Sequence, residues 1–387
     1  MARAATKVCV FGSGSFGTAL GAVIARNGYT VTLLTRREEV SASINTKHCN
    51  PVHLSEHKLP PLLGATTEAA EALRGVSFIV HSIPVQSTAE FLEPLKVLIP
   101  EDVPIISTSK GLHSETLETM ADLVPRVLGR PQPMAFLSGP TFARELMEAY
   151  PSGAIMASSD LALAEKCAAL FSCASMRVYT TDDVIGVEVG GALKNVYALA
   201  AGAVEGMGLG VNTVAFLVTR ACAEMNQLAV AMGGKAHTMN GLAGIGDLML
   251  TCMGGASRNK AVGARIGKGE TLDSILNSRK ESLAGVAEGV ATTPAASKLA
   301  AAAGIEAPLI NAIARVLEGK AQIREVALSL MTSTPAGLDF AANAYAMERR
   351  REERDQVVSK AHFWFPVAAQ AAVLGVLAMY ILRKGPS

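Results

Sequence analysis

The chain predicts an α/β Rossmann-type fold, a doubly wound parallel sheet, followed by an all-helical second domain and a C-terminal apolar helix. Three observations lead there. A short apolar run, Lys7–Phe11 (KVCVF), stops at the turn Gly12-Ser13-Gly14-Ser15-Phe16-Gly17, and a helical stretch follows it. Strand-like and helix-like segments then alternate to about residue 183, the pattern of a parallel sheet covered on both faces. Beyond Asp183 the strands cease, and long Ala- and Leu-rich stretches take over.

The continuous apolar character of 7–11 predicts a strand buried on both sides. Residues 18–27 predict a helix closed by Gly28, and Thr30–Leu34 (TVTLL) a second strand. Later strands are expected at 77–81 and 104–107, with a helix at 114–128. The second domain is expected to use helices at 184–204, 213–232, 260–266 and 288–303. The first of these holds several glycines, each costing about 1 kcal/mol of helix stability. Close approach of another helix or of a ligand would offset that cost. The expected divisions are a dinucleotide-binding domain at 1–183, a helical substrate domain at 184–332, a charged linker or helix at 333–362 and an apolar tail at 363–382.

With 387 residues the chain has material for two cores. Its 35 basic and 34 acidic residues create no field that would favour nucleic acid, and no basic run is interleaved with aromatics. None of the six cysteines forms Cys-x-x-Cys, so they read as buried free thiols in a reducing compartment. His48, His53 and His57 share one stretch whose spacing fits no usual zinc pattern. No metal is expected, and that stretch reads as a solvated or substrate-covering loop. About six residues precede the first strand, too few for a signal or transit peptide, so the protein is expected in the cytoplasm.

The glycine turn follows a strand and opens a helix, the context in which Gly-x-Gly-x-x-Gly cradles a dinucleotide. Gly12 permits the tight turn, Gly14 lets backbone approach the pyrophosphate, and Gly17 lets helix and strand pack closely; helix amides then face the phosphates. An NAD-specific site usually has an acid at the end of the second strand. This chain has Thr35-Arg36-Arg37, which suits a ribose 2′-phosphate through charge-assisted bonds. NADPH is therefore expected to be accepted, alongside NADH, and even preferred, with Glu38 a competing ribose contact.

A carbonyl that accepts hydride needs a proton on its oxygen. Lys194 lies in 187–203, where Glu188 is the only other charged residue, six positions away and on another helix face. Desolvation there should lower the lysine pKa into the useful range for acid–base work. Asp247 follows glycines 241, 244 and 246 and shares a helix face with Thr251. It can orient Lys194, cap the helix, or do both. Gly254-Gly255-Ala256-Ser257-Arg258-Asn259 is a glycine turn entering a helix, with amides and an arginine fork suited to a phosphate dianion. Its bland alternative is an N-cap Ser257 beside a surface Arg258. Lys110-Gly111 and 138–143 fall beyond strand ends, where parallel sheets bind ligands.

Together the stretches GSGSFGTAL, STSKGL, LSGPTFARE, DVIGVEVGGALKNVYALAAG, GLAGIGDLMLTC, SRN and VAEGVATT resemble the NAD(P)-dependent glycerol-3-phosphate dehydrogenases, closest to the bacterial and plastid type, over residues 7–331. The resemblance implies interconversion of dihydroxyacetone phosphate and sn-glycerol 3-phosphate. It implies Lys194 as proton donor and acceptor and Lys110 as a contact to substrate and cofactor. Gly139, Thr141, Asp247, Ser257, Arg258 and Asn259 would surround the substrate, the last two at its phosphate, with Thr251 beside Asp247 and Asn195 ordering the site. Ser15, Phe16, Arg36, Ala143, Val286 and Glu288 would line the cofactor, with Arg258 also reaching it. Many family members carry Trp where Phe16 stands, and they usually lack the tail found here.

Residues 363–382 are twenty without a formal charge, matching the roughly 20 needed to cross a bilayer. Phe363, Trp364 and Phe365 at one end and Tyr380 near the other suit the interfaces, and Arg383 and Lys384 follow. A tail anchor on the cytosolic face of an intracellular membrane is expected, with product made beside a membrane that uses it for glycerolipid synthesis. The large helical domain leads us to expect a homodimer. Two rival readings are a hydroxyacid or 6-phosphogluconate-type dehydrogenase and a membrane-tethered NADPH sensor without turnover.

Overall fold

In the computed structural model, which describes residues 6–281 and 286–326 with 346, 348, 349 and 351 placed singly, strand β1 (Lys7–Phe11) is buried on both faces. Val8 and Val10 turn into one core while Cys9 and Phe11 turn into another. This alternation follows from the two-residue pleat and needs helices on both sides of the sheet. The other strands are β2 (Thr30–Leu34), β3 (Leu63–Thr66), β4 (Phe78–His81), β5 (Ile105–Ser107), β6 (Met134–Ser138), β7 (Ser152–Ala157) and β8 (Met176–Thr181). They form one sheet in the order β3-β2-β1-β4-β5-β6-β7-β8.

β1 pairs with β2 on one side, Lys7 opposite Thr30, and with β4 on the other, Val8 opposite Phe78. The strand order therefore reverses at β1, and the crevice beyond the strand ends there is the ligand position of such sheets. The parallel expectation fails at one junction. β7 runs antiparallel to β6, with Phe136 opposite Ala157, while β7 and β8 are parallel to each other. Gly139, at φ +140°, turns the chain directly after β6 and lays it against Ala154 of β7, a backbone conformation that side chains resist.

The helix expected at 114–128 begins only at Met120 and runs to Leu128. Ahead of it, His113 N donates to Glu118 O at 3.0 Å, and Leu117 sits at φ 61°. Glu188 Oε1 then accepts from Met120 N and Ala121 N, at 2.8 and 3.2 Å. A cap supplied from so far along the chain leaves no local sequence signal. All six cysteines are free; Cys9, Cys167 and Cys252 are buried, but Cys173 is exposed.

The second core is built round the helix Val184–Gly206, buried at every position from Val189 to Leu199. It is long and apolar enough to cross a membrane, but 78% of its apolar window is buried inside the protein. Two of its glycines, Gly202 and Gly206, are explained by the helix Arg258–Gly267. A Cβ on Gly202 would overlap Lys260 O, and one on Gly206 would overlap Ala264 O. Reciprocally, Gly263 faces Leu199 O and Gly267 faces Ala203 O. The two helices meet backbone to backbone, which only glycine permits. Glu348 Oε2 accepts from Ala236 N at 3.1 Å and Arg351 Nη1 donates to Val230 O at 3.3 Å, so these two residues of the expected linker touch the helical core. The expected tail, 363–382, lies outside the described residues.

Candidate active site

Lys194 stands midway along Val184–Gly206 and is only 8% exposed. One turn earlier on the same face, Gly190 lies against Ala243 O, where a Cβ would come within 2.6 Å. That close approach brings in the turn Leu242–Gly246, and Asp247 follows as the first residue of the helix Asp247–Met253. Asp247 is fully buried.

Its carboxylate is gripped from both sides. Lys194 Nζ donates to Oδ1 at 2.5 Å, and Lys110 Nζ donates to Oδ2 at 2.6 Å and to Gly139 O at 3.4 Å. Ser138 Oγ reaches Oδ2 at 3.4 Å. Thr251 Oγ1 donates to Asp247 O at 2.6 Å and lies 3.4 Å from Oδ1, as the four-residue spacing predicts. Burial lowers the Lys194 ammonium to about 8, helped by the Lys110 cation and opposed by Asp247. Burial would raise the Asp247 carboxyl, but the two lysines hold it below the usual range. A buried amine poised near neutrality, oriented by a carboxylate that stays ionised, is equipped to exchange a proton with a bound oxygen.

Asn195 joins this cluster to the next helix. Its Nδ2 donates to Lys110 O at 3.2 Å, and its Oδ1 accepts from Asn259 Nδ2 at 2.9 Å. Asn259 Oδ1 in turn accepts from Gly289 N at 2.9 Å. Four segments distant in sequence, at 110, 195, 259 and 289, are thus joined through two buried amides. Ser257 Oγ accepts from Lys260 N at 3.2 Å, so it caps the Arg258–Gly267 helix. Arg258 is exposed and makes no hydrogen bond or ion pair among the described residues; desolvation lowers its pKa, opposed by the nearby Glu288 carboxylate. Thr141 Oγ1 donates to Gly139 O at 3.2 Å.

The glycine turn has the shape a pyrophosphate requires. Gly12 has φ +99°, a Cβ on Gly17 would overlap Gly12 O, and a Cβ on Gly14 would meet nothing within 4 Å. The turn is tight, closely packed and open where backbone must approach an anion. Asn50, 0% exposed, ties it down by donating to Ser13 O and Thr18 Oγ1, both at 2.9 Å. Ser15 and the half-buried Phe16 begin the helix Ser15–Arg26, and Ser15 Oγ lies 3.4 Å from His53 Nδ1. Arg36 and Arg37 are exposed beyond β2, and the exposed Glu38 accepts from Thr67 Oγ1 at 2.7 Å. Lys110 follows β5, three strand positions from β2 or about 14 Å, so the nucleotide arginines and the lysine cluster mark two separate parts of one crevice.

Ala143 starts the helix Ala143–Met147, after Phe142, whose ring fills the space a Cβ on Gly254 would take. Val286 is exposed just ahead of the helix Glu288–Ala302. Glu288 lies 3.4 Å from where a Cβ on Gly111 would stand, and burial pushes its carboxyl up to about 7. Sequence reasoning missed Asn50 and the contact from Ser138 to Asp247. A lone polar residue in a polar loop carries no periodicity and no motif to single it out.

Family models match both parts of the chain: NAD-dependent glycerol-3-phosphate dehydrogenase N-terminus at residues 7–164, and C-terminus at 183–328. The chain is 44% identical over 328 residues to a chloroplastic NAD(+) glycerol-3-phosphate dehydrogenase of Oryza sativa subsp. japonica, covering 84% of this chain and 74% of that one. It is 42% identical over 328 residues to an NAD(P)+ glycerol-3-phosphate dehydrogenase of Leptospira biflexa, covering 84% and 97%. Among solved structures, glycerol-3-phosphate dehydrogenase from Coxiella burnetii matches with a TM-score of 0.79 and 31% identity, over 85% of this chain and 99% of that one.

Proposed function

The chain belongs to the NAD-dependent glycerol-3-phosphate dehydrogenase family, and we propose that Lys194 is the group that gives and takes the proton in its reaction. The reaction is the interconversion of dihydroxyacetone phosphate and sn-glycerol 3-phosphate with NAD(P)H. The observation that carries the role is the shared carboxylate: Lys194 and Lys110 both bond Asp247, at 2.5 and 2.6 Å, and that carboxylate is fully buried.

The bound nicotinamide supplies or accepts the hydride at substrate C2. In the reducing direction the Lys194 ammonium passes its proton to the C2 oxygen as hydride reaches the carbon, leaving a neutral amine and a secondary alcohol. In the oxidising direction the neutral amine takes the hydroxyl proton. Asp247 keeps the amine aimed and holds its charge near the value both directions need. Lys110 adds a fixed positive charge beside the developing oxyanion. Arg258, with amides at the start of its helix, grips the phosphate, and Asn195 and Asn259 set the distance between that grip and Lys194. Arg36 and Arg37 take the 2′-phosphate of NADPH, making NADPH the better substrate.

A hydroxyacid or 6-phosphogluconate-type reaction is not favoured. Those enzymes often set lysine and asparagine four apart, whereas here Asn195 adjoins Lys194 and position 198 is a fully buried Ala. The direct test is loss of reduced-nicotinamide absorbance on mixing the full chain with dihydroxyacetone phosphate and NADPH or NADH. Turnover is expected with both; turnover with neither would overturn the reading and leave a cofactor-binding sensor.

The remaining readings rest on the sequence. The uncharged stretch 363–382 anchors the enzyme to an intracellular membrane, and the helical domain pairs with a second copy. Carbonate washing that strips the full-length protein from membranes would dismiss the anchor, and sedimentation of a chain ending at residue 332 tests the dimer.

A further inference from the structure

Beside Lys110 lies a small cavity whose walls are part polar, from Ser107, Ser109, Ser138 and Glu188, and part apolar, from Phe136, Leu137 and Val187. Two of the lining atoms, Ser107 Oγ and Glu188 Oε2, are buried with no hydrogen-bond partner. Ser107 is 2% exposed, at the end of β5 three residues before Lys110. Leaving such groups unpaired costs about 1–3 kcal/mol each. A cavity of this size into which two unpaired polar atoms point is where proteins hold internal water.

The walls connect this cavity to the chemistry. Ser138 Oγ also reaches Asp247 Oδ2, the oxygen that takes the Lys110 bond. Ser109 Oγ is already spent on Ile83 O, at 2.6 Å, and on His81 Nδ1, at 3.1 Å. Glu188 is pinned by its other oxygen, which accepts the two amides opening the Met120–Leu128 helix. The neighbouring Thr119 side chain also acts on this carboxyl, while Oε2 itself makes no hydrogen bond of normal geometry. Burial also pushes the Glu188 carboxyl up to about 8, so at neutral pH it retains a proton that can be donated.

We propose that this cavity is a water site and that Ser107 and Glu188 are positioning residues. A water held by Ser107 Oγ and Glu188 Oε2 reaches Ser138 and braces the Asp247 oxygen on which Lys110 is seated. The inference rests on the dehydrogenase reading above and adds to it a second layer behind the reacting groups. Neither residue touches substrate; both act through Ser138 and Asp247.

The test uses the full chain carrying Ser107→Ala, Glu188→Ala or Glu188→Gln. Each is measured for kcat, for KM toward dihydroxyacetone phosphate and NADPH, and for thermal midpoint, and a high-resolution crystal structure is read for the water. Ser107→Ala should lower kcat about three- to tenfold, the value of one hydrogen bond, with the KM for NADPH unmoved and the midpoint kept. Glu188→Ala should lower kcat further, and Glu188→Gln should recover part of that loss because an amide still bonds water. Ordered water within reach of both side chains is expected. A dry cavity, or a Ser107→Ala enzyme whose kcat stays within about twofold of the parent, overturns the proposal. Should Glu188→Ala fail to fold, Ser107→Ala decides, since that hydroxyl makes no hydrogen bond among the described residues. Absence of turnover in the parent would strike the dehydrogenase reading; an active parent with an unaffected Ser107→Ala would strike the water site alone.

Discussion

Lys194 and Asp247 lie 53 positions apart in the chain, yet the lysine Nζ donates to the carboxylate across 2.5 Å in a buried setting. The carboxylate also holds Lys110, so the local balance is two cations to one anion. Asp247→Asn would leave both ammonium groups without a counter-charge. The Lys194 pKa should then fall below its present value of about 8, because only Asp247 opposes its burial. The alkaline fall in carbonyl reduction should move to lower pH by about one unit or more, measured as the pH profile of kcat. A limb that stays put would mean Asp247 does not set the Lys194 charge.

The direction of the pH dependence follows from which form each reaction needs. Burial places Lys194 near 8, below the ordinary lysine range, so the ammonium prevails below that pH and the amine above it. Reduction should be flat at lower pH and decline as pH rises through about 8, while alcohol oxidation should rise through the same pH and level off. Lys194→Ala should abolish both limbs and lower kcat by about 10²–10⁴-fold with little change in cofactor affinity, measured by NADPH fluorescence titration.

The nucleotide turn could be read from sequence because its chemistry is local: strand, three glycines and helix are contiguous. Lys194 was legible for a related reason, being a charge amid neutral neighbours. The brace of Ser138 on Asp247 and the Asn50 tie to Ser13 were not, since each depends on which distant segments the fold brings together. The antiparallel β7 was likewise hidden, because strand direction leaves no mark in a run of apolar residues. The glycines in 184–204 stand out in the sequence, but the reason for Gly202 lies in a partner helix carrying Gly263 and Gly267, and that for Gly190 in the turn at Ala243.

That helix crossing supports the site as well as the core. Gly202→Ala would force its methyl into Lys260 O, and overpacking of this kind costs about 1–3 kcal/mol. Because Ser257, Arg258 and Asn259 begin the displaced helix, the damage should extend beyond stability. A lower thermal midpoint together with a raised KM for dihydroxyacetone phosphate is expected. A lower midpoint with unchanged KM would show that the clamp does not depend on this contact.

Arg258 and Arg36 should separate in their effects, because they serve different anions. Arg258→Ala should raise KM for dihydroxyacetone phosphate about tenfold or more, as loss of a charge-assisted bond does, while leaving the weak turnover of unphosphorylated dihydroxyacetone unchanged. Arg36→Ala should raise KM for NADPH by a similar factor and leave that for NADH nearly as it was, since only NADPH carries the 2′-phosphate. Equal losses with the two cofactors would mean that Arg36 binds something common to both, and the preference would then have to come from Arg37.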